Sequence, residues 1–161
     1  MGRYYYSASG RAGKFGVACQ SSSDPADFFY MTEQEPSTVT YYIGKDGEKD
    51  VKEKLDSVYA KLGVPENERI YYLKGGEEDN SWNEHLDVIE KYAYRKVNRN
   101  EVKRYNKIDG FEHRTFYCEE KHKTMIDVVQ GADLCISRLK LGLTILSDIK
   151  DEGYSEITAD L

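Results

Sequence analysis

Short apolar runs separated by turn-forming residues fill the first third of the chain, and longer stretches with helical apolar spacing fill most of the rest. Residues 4–6, 15–19, 28–31 and 38–43 are aromatic or β-branched runs of strand length. The intervening SGRAG, SSSDP and EQEPS carry the Gly, Pro, Ser and Asp that favour turns. Connections this short predict an antiparallel N-terminal meander, because parallel neighbours need a long crossover.

A helix is predicted over 48–62, where Val51, Leu55, Val58, Tyr59 and Leu62 share a face and Gly63 and Pro65 supply a stop. Residues 69–74 (RIYYLK) read as another strand, ended by Gly75-Gly76. Ser81 and Glu84 have capping-box spacing, and Trp82, Leu86, Ile89 and Ala93 then line one side of a second helix. Residues 94–108 are polar and basic, in a loop or a helix, and 111–119 alternate as a strand. The remainder reads as helical, with Leu139, Leu143, Leu146 and Ile149 in one stripe and Gly153 as its end. The expected fold is α+β: a mostly antiparallel sheet, beginning as the N-terminal meander, with helices packed on one face. Residues 1–153 form a single domain in this reading, and 154–161 a short C-terminal tail.

Composition narrows the setting. At 161 residues, 39% hydrophobic and 32% charged, the chain can bury one continuous core and is not compositionally disordered. No apolar run approaches membrane-spanning length, so no membrane partner is expected. Three widely spaced cysteines (Cys19, Cys118 and Cys135) form no paired framework, which suits a reducing, cytoplasmic location. A net charge of -6 argues against a long nucleic acid as partner.

The aromatic residues add the first functional hint. Eight of the fourteen tyrosines stand in adjacent aromatic runs: Tyr4-Tyr5-Tyr6, Tyr41-Tyr42 and Tyr71-Tyr72, alongside Phe28-Phe29-Tyr30. Neighbours in a strand point to opposite faces, so each run puts aromatics on both sides of a sheet. One side can pack on helices and the other can serve recognition, since tyrosine brings rigid area and a polar tip. Tyr5, Tyr42 and Tyr72 are the candidates for such a surface. A small nucleotide could stack there if Arg95, Arg99 or Lys103 from the basic segment neutralised its phosphate.

The densest polar cluster runs from Asp109 to His122. In one regular strand, His113, Thr115, Tyr117, Glu119 and Lys121 would share a face. Asp109, with Glu119-x-Lys121 ten residues later, resembles the PD-(D/E)xK nucleases, although Ile108 stands where that pattern has proline. The resemblance implies Mg²⁺ held by Asp109 and Glu119 and a water activated beside Lys121; His113, near them in sequence, is the candidate to assist. Cys118-Glu-Glu120 shares the Cys-x-Glu of zinc deaminases but lacks the following Cys-x-x-Cys. His113-x-Thr115 and His122-x-Thr124 resemble the paired H-x-T motifs of two-histidine phosphoesterases, yet lie too close for separate lobes. No Walker loop, dinucleotide fingerprint or nucleophile elbow occurs. The leading expectation is a binding or inhibitor-type domain acting through its tyrosine-rich surface on a protein or a small nucleotide. A metal-dependent phosphodiesterase or nuclease is the alternative.

Overall fold

Val51, Leu55, Tyr59 and Leu62 recur at three- and four-residue intervals and form the buried face of α1 (Glu48–Leu62). The computed structural model describes residues 4–14, 28, 31–34, 38–75, 81–98 and 113–160 of the chain. Helix α1 ends in a Schellman motif: Gly63 takes a left-handed conformation (φ 78°), and its N–H donates to the Ala60 carbonyl. The next N–H, of buried Val64, reaches back to the Tyr59 carbonyl at 3.0 Å.

A five-stranded antiparallel sheet is built from β1 (Tyr4–Ser7), β2 (Ala12–Lys14), β3 (Met31–Gln34), β4 (Thr38–Gly44) and β8 (Tyr154–Asp160). Its order is β2-β1-β8-β4-β3. The expected meander and C-terminal tail are both corrected here, because residues 154–160 are the central strand and separate two N-terminal hairpins. The cause is visible in the residues: Ser155, Ile157 and Ala159 alternate inward, each with a partner on β4 and the last two with partners on β1 as well. Of the strand expected at 28–31, Phe28 sits in a turn and Met31 opens β3; the one expected at 15–19 lies outside the described residues.

Helix α3 (Ala132–Glu152) lies against the inward side of this sheet and contacts α1 and α2 (Ser81–Ala93) as well. Every residue from Leu141 to Ile149 is buried, so the predicted stripe is part of a helix enclosed all round. Its buried hydroxyls are satisfied within the helix: Thr144 donates to the Lys140 carbonyl and Ser147 to the Leu143 carbonyl. Gly142 sits where α1 comes closest; a Cβ there would lie 2.7 Å from Leu55 Cδ1. Gly153 (φ 85°) ends α3 and turns the chain directly into β8.

The strand expected at 69–74 does not form: these residues have no regular secondary structure and pair with no strand. Both backbone groups of Ile70 bond to the Tyr59 phenol, and the Leu73 N–H donates to Ser147 Oγ at 2.7 Å. Side chains of α1 and α3 supply the partners a neighbouring strand would have given.

A second antiparallel sheet has the order β5-β7-β6, from β5 (Tyr94–Val97), β6 (Thr115–Cys118) and β7 (Lys123–Asp127). The strand expected at 111–119 stops at Cys118, and β7 replaces the helical material expected after it. Residues 119–122 form the connecting turn, with His122 in the left-handed region (φ 49°). The two sheets and three helices make an α+β fold. No helix among the described residues is long and apolar enough to cross a membrane.

Candidate functional site

Register divides the tyrosines of the large sheet cleanly. Tyr5 and Tyr41 stand on the inward face with Val39, Ile157 and Ala159, and each is 3% exposed. Burial raises the Tyr5 phenol pKa above its ordinary value, against a hydrogen bond with Thr144 that lowers it. Tyr5 is therefore a core residue and cannot contribute to a recognition surface, which corrects its place among the candidates.

The outward face carries Tyr6, Tyr42 and Tyr154, which are 48%, 47% and 39% exposed. Tyr42 and Tyr154 stack with ring centroids 5.6 Å apart and planes 23° from parallel. Thr158 sits between Tyr6 and Thr40 in the register, and the two threonine hydroxyls are 3.1 Å apart. Glu156 pairs across from Tyr42, and Asp160 from Thr38. A large, partly polar surface of three phenols, a threonine pair and acidic groups is thus held on a backbone fixed from behind by α3. Tyr154 was missed because the strand bearing it read as a tail, although its period-two alternation was a sufficient signal.

Tyr72 lies off this sheet. It is exposed in the 69–75 segment, where its hydroxyl donates to Glu48 Oε1 at 3.1 Å and Lys150 Nζ stands 4.5 Å from its ring centre. Arg95 is exposed on β5 of the second sheet, whereas Arg99 and Lys103 lie outside the described residues. The described part of the basic segment therefore does not share a sheet with Tyr42, and the nucleotide-stacking arrangement gains nothing from the fold.

The polar strand also divides. His113 Nδ1 lies 2.5 Å from the Asp127 carbonyl oxygen, to which it donates across the hairpin. Glu119 is exposed in the turn after β6, so it shares no regular strand face with His113. Lys121 Nζ pairs with Glu90 Oε2 of α2 at 2.5 Å, and that hydrogen bond holds its pKa above the usual value. Asp109 lies outside the described residues. No group of three potential metal-ligating side chains converges among the described residues.

Three other polar clusters proved stronger than the sequence suggested. Arg114 forks onto both Asp127 oxygens at 3.0 and 3.1 Å, and also reaches Asp133, which Tyr94 bonds as well. This ties the second sheet to the start of α3. Inside the molecule, Tyr59 and His85 Nε2 are 2.8 Å apart. Because the phenol's single hydrogen goes to the Ile70 carbonyl, the imidazole is assigned as donor to the phenol oxygen. Asp148, fully buried, accepts from Ser7, Ser9, Ser155 and Arg11. These serines donate to a buried carboxylate with no imidazole in the cluster, so they act as clamps rather than activated nucleophiles.

A groove of about 780 Å³ opens beside Tyr42, where β4 passes into α1. Phe28, Tyr42 and Ile43 give its lining apolar area, and Asp46, Asp50, Glu53 and Lys54 give it charge. Comparison with known proteins gives no further guide: no family model, curated protein or solved structure matches this chain.

Proposed function

We propose that this chain is a binding domain that docks a protein partner on the outward face of its five-stranded sheet. The observation that carries the reading is the stacked Tyr42–Tyr154 pair standing on the solvent side of a sheet whose other side is filled by α3. Stacked, half-exposed tyrosines offer large contact area with little side-chain entropy left to lose, which is why tyrosine is enriched at the centre of interfaces. Glu156 and Asp160 are the charged side chains at outward positions of β4 and β8, so a partner with basic groups is the complementary one. Tyr6, Tyr42 and Tyr154 would supply area, and Thr40 and Thr158 hydrogen bonds.

A photo-crosslinking amino acid placed singly at Tyr6, Tyr42 and Tyr117 tests this in the native cell. Tyr117 is more exposed than either but belongs to the second sheet. The expected result is one discrete adduct shared by the Tyr6 and Tyr42 positions and absent at Tyr117. Equal adducts at all three, or none at the first two, would overturn the reading.

A further inference from the structure

We infer that the groove beside Tyr42 receives an arginine- or lysine-bearing segment of the partner, an inference that rests on the sheet-face reading above. The groove is continuous with that face through Tyr42, which lines one and stands on the other. Its volume of about 780 Å³ suits a few side chains rather than a single ion.

Its lining combines apolar and charged residues. Phe28 and Ile43 offer apolar contact, and Gly47 lets Ile43 lie flat there, since a Cβ at 47 would fall 2.4 Å from Ile43 Cδ1. The same lining holds Asp46, Asp50 and Glu53, spaced so that they follow one side of α1 and the turn before it. Such a row does not chelate a metal, and no metal-holding group is found among the described residues. It matches successive cationic side chains on an extended segment, whose aliphatic stems can lie on the apolar part of the lining. Among the described lining residues Lys54 is the one basic side chain against Asp46, Asp50 and Glu53, so their sum is negative. Tyr42 adds an aromatic ring to the lining, and guanidinium and ammonium groups bind the faces of such rings.

Fluorescence polarisation with a short labelled peptide of alternating arginine and leucine tests the inference. Asp50 and Glu53 are exposed, so the Asp50→Lys/Glu53→Lys variant leaves the core intact; it should melt cooperatively and only slightly below the native protein, since Asp50 stands in the first turn of α1 and Glu53 lies 4.0 Å from Lys49. The expected result is affinity about tenfold weaker in this variant, with no binding of a glutamate–leucine peptide to the native protein. Unchanged affinity in the variant overturns the groove, as does displacement by Mg²⁺ at matched ionic strength. Argininamide binding as tightly as the peptide would mean a small-cation site and overturns the segment. The Tyr6→Ala/Tyr154→Ala variant separates the two readings. Peptide binding lost by charge reversal but not by these alanines upholds the groove and counts against the sheet face; the opposite pattern rejects the groove alone.

Discussion

Arg11 and Asp148 are 137 positions apart in the chain, yet the guanidinium Nη1 donates to the carboxylate at 2.7 Å. Asp148 is 1% exposed and also takes hydrogen bonds from Ser7, Ser9 and Ser155. The cluster thereby pins the β1–β2 turn to α3 and to the start of β8. Arg11 further bonds Asp151 at 2.5 Å, one helical turn along. Removing the cation leaves a buried carboxylate short of its compensation, so Arg11→Ala should cost about 3 kcal/mol in urea unfolding. Arg11→Lys, which cannot bridge both carboxylates, should lose part of that.

His85 should make stability fall on mild acidification. Burial lowers its pKa in the folded state below the ordinary value. As pH drops, the unfolded chain therefore takes up the imidazole proton first, and proton binding favours unfolding. The contribution is intact above about pH 6.5, where the unfolded histidine is neutral, and is lost as pH falls toward the lower folded value. Melting temperatures from pH 8 to pH 5 should fall more steeply for the native protein than for His85→Gln. Parallel curves would show that the buried imidazole does not titrate in this way.

Local signals were legible where one residue type carries one conformation. Gly63 and Gly153 end α1 and α3 at positive φ, and the apolar spacing of Val51, Leu55, Tyr59 and Leu62 defines the buried face of α1. What could not be read was the choice among partners for extended chain. Residues 69–74 carry a continuous Ile-Tyr-Tyr-Leu run and 154–160 a weak polar–apolar alternation, and neither pattern names its partner. The first bonds to Tyr59 and Ser147, while the second is taken between β1 and β4. The turn at 119–122 was silent for a different reason: His122 occupies the left-handed position where glycine would have announced it. The candidate surface was half legible. Alternation places Tyr41 inward and Tyr42 outward, but which tyrosine of each pair faced the helices depended on β8.

Gly142 should tolerate no branched side chain. Its missing Cβ allows Leu55 of α1 to approach, and Phe28 Cε1 stands 3.2 Å from the same point. Glycine within a helix costs roughly 1 kcal/mol relative to alanine, so its use here is explained by packing rather than propensity. Gly142→Val should destabilise by about 1–3 kcal/mol through displacement of Leu55 and Phe28, read as a lower urea midpoint at unchanged slope. Combining it with Leu55→Ala should cost less than the sum of the two single variants, because the two side chains compete for one space.

Neighbours along β8 should separate stability from binding. Ile157 is fully buried at the centre of the sheet, with Tyr41 and Ser7 as its register partners, so Ile157→Ala should cost about 2–5 kcal/mol. Tyr154 and Tyr42 stack on the open side, where an aromatic pair contributes only about 0.5–1.5 kcal/mol beyond its area. Tyr42→Ala/Tyr154→Ala should therefore unfold close to the native midpoint while abolishing the crosslinked adduct formed from the Tyr6 position. A double variant as unstable as Ile157→Ala would instead make the stacked rings part of what holds the sheet together, and their exposure would no longer argue for a partner.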